Sequence, residues 1–232
     1  GNMAAAFRVP DLRKRILFVL AMFGVFVVGL HIPIPNVNRA AMEEFVSGIG
    51  LLGLFDVFSG GAFKRFSILA MSITPYINAS IIFQLLGVAV PSIARLAKEG
   101  ESGRKKISQY TRYLTVILAA FQATGICIVL KRQGIIETTY IGLIPIIITL
   151  AAGTCFLMWM GEQITDKGIG NGISLVIFCG IMVRLPMDVE NVIVLLQAQS
   201  IRFFQVLLLI IIWIATIAFI AVSYTHLRAH ET

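Results

Sequence analysis

Residues 67–86 read SILAMSITPYINASIIFQLL, twenty positions without a formal charge. A helix of about 20 apolar residues covers the hydrocarbon core of a bilayer, and only a helix or a closed barrel satisfies its own backbone there. The stretch therefore predicts a membrane-spanning helix, bounded by its neighbours as Phe66 to Pro91. Its interior is not uniformly greasy. Ile73, Ile77 and Ile81 recur at i, i+4, while Pro75 offers a kink site and Asn78, Ser80 and Gln84 add a modest polar content.

The rest of the chain is of the same kind. Of 232 residues 58% are hydrophobic and 13% charged, with mean hydropathy +0.90, whereas soluble domains carry about 25% charge. The chain reads as an all-α integral membrane protein. Charge-free runs at Ile16 to Pro35, Tyr113 to Leu130, Ile141 to Gly161, Gly172 to Val183 and Phe203 to Val222 bring the expected spans to about six. The first run leads into HIPIP and not into a small-residue cleavage site, so it is expected to stay as a helix.

The placement of cations sets orientation. With the amino terminus cytoplasmic, eleven cations fall inside, from Arg8 to Lys167, against seven outside: Arg39, Lys64, Arg65, Lys131, Arg132, Arg184 and Arg202. The bias puts both termini inside. The run Arg104, Lys105, Lys106 could bind nucleic acid, but a solvated cytoplasmic loop facing anionic lipid is the commoner use of such a run, and no specific nucleic-acid partner is expected.

Chemistry-bearing groups are scarce. Cys127, Cys155 and Cys179 lie in separate apolar runs and read as small hydrophobes. His31, His226 and His230 have no metal-ligand spacing, and no cofactor is expected. The sequon Asn78-Ala79-Ser80 lies inside an apolar run, out of reach of glycan transfer. Glu162 and Asp166 stand at i, i+4 at a span's water boundary, where a solvated charged end is the ordinary reading. The glycines of GEQITDKGIGNG and GESGRKK fit neither a dinucleotide turn nor a phosphate loop. An intramembrane enzyme needs a reactive group at mid-depth and none is evident, so the chain is not expected to be an enzyme.

Two features remain. Residues 52–65, LGLFDVFSGGAFKR, form an apolar piece too short to cross a bilayer, closed by Gly60 and Gly61. It reads either as a static re-entrant segment or as a movable one hinged at the glycines. The ladder Ile73, Ile77, Ile81 has a second copy in Ile169, Ile173 and Ile177, beside Asn171. Spacing alone leaves ordinary helix packing and pore lining both open.

The strings IPIP, FSGGAFKRFSI, ITPYINASIIFQLL, KEGESGRKKISQYTRY and FLMWMGEQITDKGIGNGIS, in this order and followed by an apolar helix, resemble the SecY family, the channel subunits of the bacterial Sec translocon. The resemblance covers about residues 13 to 222. It implies half of a ten-helix inverted-repeat channel, of which the first five helices and the sixth are present, with a short re-entrant plug helix. The implied domains are a cytoplasmic segment 1–15, an incomplete membrane domain 16–222 and a non-native tail, SYTHLRAHET, at 223–232.

By the same resemblance Leu54, Phe55, Phe58, Ser59, Gly60 and Gly61 belong to the plug, which runs to Ser67. Ile73, Ile77, Ile173 and Ile177 would form part of an apolar pore ring, stiff at χ1 and offering ions no hydrogen-bond partner. Asn78, Ser80 and Gln84 would line the gate and Asn171 the channel wall. Implied partners are SecE- and SecG-type small membrane subunits, a SecA motor or ribosome, signal sequences, unfolded preproteins and anionic lipids. The implied location is the bacterial cytoplasmic membrane. Ser72 departs from the pattern, standing where the family usually places glycine. A secondary transporter on inverted repeats is the rival function, but its site usually carries ionisable groups at the midplane, and these spans largely lack them. A passive assembly subunit would not need the plug and ladders.

Overall fold

The computed structural model describes residues 10–200 and 202–229. The extreme amino-terminal residues 1–9 and the tail residues 230–232 lie outside the described part. In chain order the helices are α1 (Pro10–Leu30), α2 (Arg39–Gly48), α3 (Gly50–Phe58), α4 (Thr74–Ala89), α5 (Pro91–Lys98), α6 (Glu101–Arg132), α7 (Leu143–Lys167), α8 (Gly172–Gln197) and α9 (Phe203–Ala229). Strand-like pairing among the described residues is confined to the isolated bridges Pro33 to Ser67 and Val37 to Ile136. Two units are distinguished, one ending at Arg184 and one beginning at Leu185.

Four helices are long and apolar enough to span a membrane, or five if α4 and α5 count as one bent span. That is fewer than the six expected. The shortfall is α1, whose stretch between Arg15 and His31 holds only 15 residues, below the roughly 20 a full crossing requires. Pro33 and Pro35 then keep the chain out of helix, so the expected run to Pro35 ends at Leu30.

The second expected span also begins late. Residues 66–73 are turns, and helix starts only at Thr74, with Pro75 in its first turn. Pro75 therefore opens α4 instead of kinking it: its missing N–H is one the first turn leaves unpaired in any case. Phe66 and Ser72 have φ of 45° and 54°, the left-handed region in which glycine sits without strain. Glycine at the Ser72 position would relieve this backbone strain. Irregular backbone at membrane depth is tolerated only when protein covers it, and here it is covered. Phe66 O accepts from Ile34 N and Ile68 N donates to Ile32 O, both at 3.0 Å. On the other side Gly153 of α7 comes so close that a Cβ there would lie 1.9 Å from Ile68 O.

The break at Val90 and Pro91 bends α5 from α4 by 101°. Helix α8 passes the expected end at Val183 and continues through Arg184 and Pro186 to Gln197. Helix α9 likewise runs past Val222 to Ala229, so residues 223–229, expected as a separate tail, continue its helix.

Helix α7 is the centre of the first unit. Its Leu143, Ile146 and Leu150 join a cluster with Met42, Val46, Phe66, Cys127 and Leu130. Its Leu157, Met160 and Ile164 join another with Phe26, Leu30, Leu69, Ile73, Val176 and Cys179. Of its apolar window 44% is buried, against 28% for α6; the rest of their apolar surface is left for lipid or other helices. Cys127 and Cys179 thus act as small core residues, and Cys155 is half-buried.

A candidate neck and its covering segment

Ile73 is fully buried as the N-cap residue of α4, and its carbonyl accepts from Ile77 N at 3.1 Å. Ile77, Ile173 and Ile177, all half-buried, pack against the same cluster of Leu69, Leu157 and Val176. Two distant stretches of chain thus place their isoleucines in one apolar body. Helix α7 acts as the ruler: Thr154 Oγ1 donates to Ser72 O at 3.5 Å, and the Ile173 side chain packs over Gly161. These two levels are seven residues, about 10 Å, apart along the helix. The ladders are shorter than their spacing implied. Ile81 is 47% exposed and Ile169 precedes α8, so neither belongs to the cluster.

The corner from α7 to α8 fixes where the second ladder starts. Thr165 Oγ1 donates to Gly161 O at 2.9 Å and accepts from Gly172 N at 2.8 Å. Asn171 Oδ1 accepts from Ile173 N at 3.0 Å and Ser174 N at 3.2 Å. Asn171, expected at a channel wall, therefore caps α8. Asn171→Ala should lower stability by about 1 kcal/mol, readable as a lower melting temperature in detergent.

Residues 50–66, which lie against α8 at Gly60 and are termed the covering segment, are helical only as far as Phe58; residues 59–66 turn back instead of continuing the expected plug helix. Leu54, Phe55 and Phe58 are exposed, while Ser59 and Gly60 are buried. At Gly60, φ 68°, a Cβ would meet Gly180 O of α8 at 3.0 Å, so only glycine combines this backbone with this approach. Gly61, φ 82°, faces open space and needs glycine for its dihedral alone. Asp56, 1% exposed, pairs with Arg184 of α8 and accepts from Lys64 N at 2.8 Å.

Nothing in the motif reading singled out this ion pair. A signal was present: Asp56 is the sole acid between Glu44 and Glu99, and Arg184 the sole cation between Lys167 and Arg202. Either charge is expensive to bury unpaired.

A cavity of about 720 Å³ separates the covering helix from α4 and α6, lined by Phe45, Leu52, Phe55, Met71, Asn78 and Gln122 among others. Asn78 thus faces open space, whereas Ser80 and Gln84 lie further along α4, with Gln84 Nε2 donating to Ser80 Oγ at 3.4 Å. Arg104, Lys105 and Lys106, expected in a loop, are exposed on the first turns of α6. The Lys105–Glu101 pair there, 2.9 Å, is solvated at both ends and worth little.

The SecY family model matches residues 67–229, well over half of this sequence. The chain belongs to the SecY family. It is 44% identical over 217 residues to the SecY protein translocase subunit of Escherichia coli K12, covering 90% of this chain and 49% of that one. It is 45% identical over 218 residues to that of Vibrio cholerae, covering 91% and 49%. With Streptomyces galbus SecY it shares 46% over 198 residues, 79% and 45% of the two chains. The chain therefore spans about half the length of the SecY relatives it matches. A solved protein-conducting channel and Sec61 from a canine ribosome–channel complex of the endoplasmic reticulum each align with TM-score 0.50 and 18% identity. Each alignment covers 73% of this chain and 36% of the other, a likeness of fold. With its apolar helices, this SecY-family chain is a multi-pass membrane protein.

Proposed function

We propose that the chain forms the first half, and the sixth helix, of a channel that conducts unfolded proteins across and into the bacterial cytoplasmic membrane. The observation that carries this reading is the single apolar cluster holding Ile73, Ile77, Ile173 and Ile177 next to a short segment that does not span. A collar of stiff branched side chains can close around an extended polypeptide while excluding ions by dewetting. A charged side chain passing through such a neck from one aqueous funnel to another avoids a lipid-insertion cost of about 2.5 to 3.5 kcal/mol.

The segment from Leu54 through Gly61 serves as the plug, and Asn78, Ser80 and Gln84 as the polar side of a gate where signal sequences are sampled. The amino terminus is cytoplasmic. The exposed Arg104, Lys105 and Lys106 then face anionic lipid, each worth roughly 1 kcal/mol near such a surface. SecE- and SecG-type subunits complete the membrane assembly. A SecA motor or a ribosome delivers unfolded preproteins and supplies the work, so the chain itself is no enzyme.

The test is replacement. Continued to the full length of its relatives and expressed in cells depleted of their own SecY, the chain should restore export of a signal-bearing preprotein. A stable, membrane-inserted product that restores none would overturn the proposal.

A further inference from the structure

We infer that Asp56 and Arg184 are positioning residues that clamp the covering segment onto α8, so that the segment leaves only when this buried ion pair parts. The inference deepens the plug reading of residues 54–67 and rests on it.

The pairs Arg15–Asp11 and Lys105–Glu101 are solvated i, i+4 pairs on single helices. Arg112–Glu162 joins two helices at 2.7 Å, with side chains 49% and 20% exposed. Asp56–Arg184 is more deeply buried: it joins residues 128 positions apart, and the side chains are 1% and 20% exposed. Each carboxylate oxygen has its own task. Oδ1 accepts from Lys64 N at 2.8 Å, closing the turn on itself, while Oδ2 accepts from Arg184. The turn is stiffened further by Ser59 Oγ, which donates to Asp56 O at 3.0 Å and accepts from Phe63 N at 3.2 Å. Asp56 is therefore rigidly part of the turn, and a pull on its other oxygen moves the turn as a body.

On α8 the second point of attachment is one helical turn away. Gly60 meets the backbone of Gly180, and Gly180 and Arg184 stand at i, i+4 on one face. The glycine contact sets how closely the turn seats; the ion pair sets whether it stays. Buried pairs contribute little net stability, because desolvation offsets attraction, but breaking this one removes the counter-charge that holds the 1%-exposed Asp56 against α8 and loosens the turn. Water entering an opened channel would solvate both charges, so the clamp releases into an aqueous funnel and resists release into lipid.

Hydrogen–deuterium exchange over residues 56–66, measured on the chain in lipid nanodiscs, tests the clamp without relying on transport. Arg184→Gln and Asp56→Asn should each speed exchange roughly 100-fold, with α6 unchanged. Arg184→Lys, which keeps the charge, should stay near wild type. The double variant should exchange no faster than the faster single, because both remove one coupled interaction. Wild-type exchange in Arg184→Gln, or single effects that multiply in the double, would overturn the clamp. Faster exchange with no added ion conductance, in the chain completed to its relatives' length, would instead keep the clamp and sink the plug reading.

Discussion

Gly153→Val should prevent the first unit from folding. A Cβ at this position would lie 1.9 Å from Ile68 O, and the obstructing atom is backbone, which has no rotamer with which to yield. Helix α7 would have to withdraw from residues 66–73, uncovering irregular backbone at membrane depth and opening both clusters that α7 joins. Overpacking and lost burial of this kind belong among the rare substitutions costing more than about 4 kcal/mol. The measurement is the yield of monodisperse protein in mild detergent and its melting temperature. Gly125→Ala is the control: it sits on α6 with open space where the Cβ would go, and should gain up to about 1 kcal/mol from helix propensity. Equal behaviour of the two variants would contradict the packing described.

The second large effect concerns the neck. In the chain completed to its relatives' length, replacing Ile77 and Ile177 together by serine should make vesicles leak small ions without any translocating chain. Hydroxyls at the constriction give water partners where the isoleucines give none, and dewetting fails. Lowering the barrier by about 1.4 kcal/mol, less than two methylenes' worth of apolar lining, already raises conductance roughly tenfold. Serine at the exposed positions Ile81 and Phe178 should leave conductance unchanged. If the double replacement leaks no more than serine at Ile81 or Phe178, the neck is not where the isoleucines are.

Much of the architecture was legible because charge marks water. The apolar runs located α6, α7 and α9, and the resemblance in the motifs pointed to the family that the alignments establish. Charge failed where it was neutralised within the protein. Arg184 counts among the outside cations and bounds the expected span at Val183, yet it is paired with Asp56 and α8 runs through it. Hydropathy failed where helix and turn are equally greasy. Phe66 to Ser72 has the composition of a span, but its turns are set by two residues at positive φ and by contact with Gly153, neither visible in a count of apolar residues.

The isoleucine spacing picked out side chains that share one apolar cluster, although Ile73 stands before its helix and Ile81 falls outside the cluster. Asn171 could have been recognised as a cap from its place just before an apolar helical run.

The central claim is that α4 and α8 contribute to one neck through which polypeptide passes. Photoreactive side chains placed at Ile77, Ile177 and Ile81 of the completed channel, with a preprotein stalled partway, test it most directly. Adducts to the preprotein are expected from Ile77 and Ile177, and adducts to lipid or neighbouring helices from Ile81. Lipid adducts from Ile77 or Ile177, with none to the stalled chain, would contradict it.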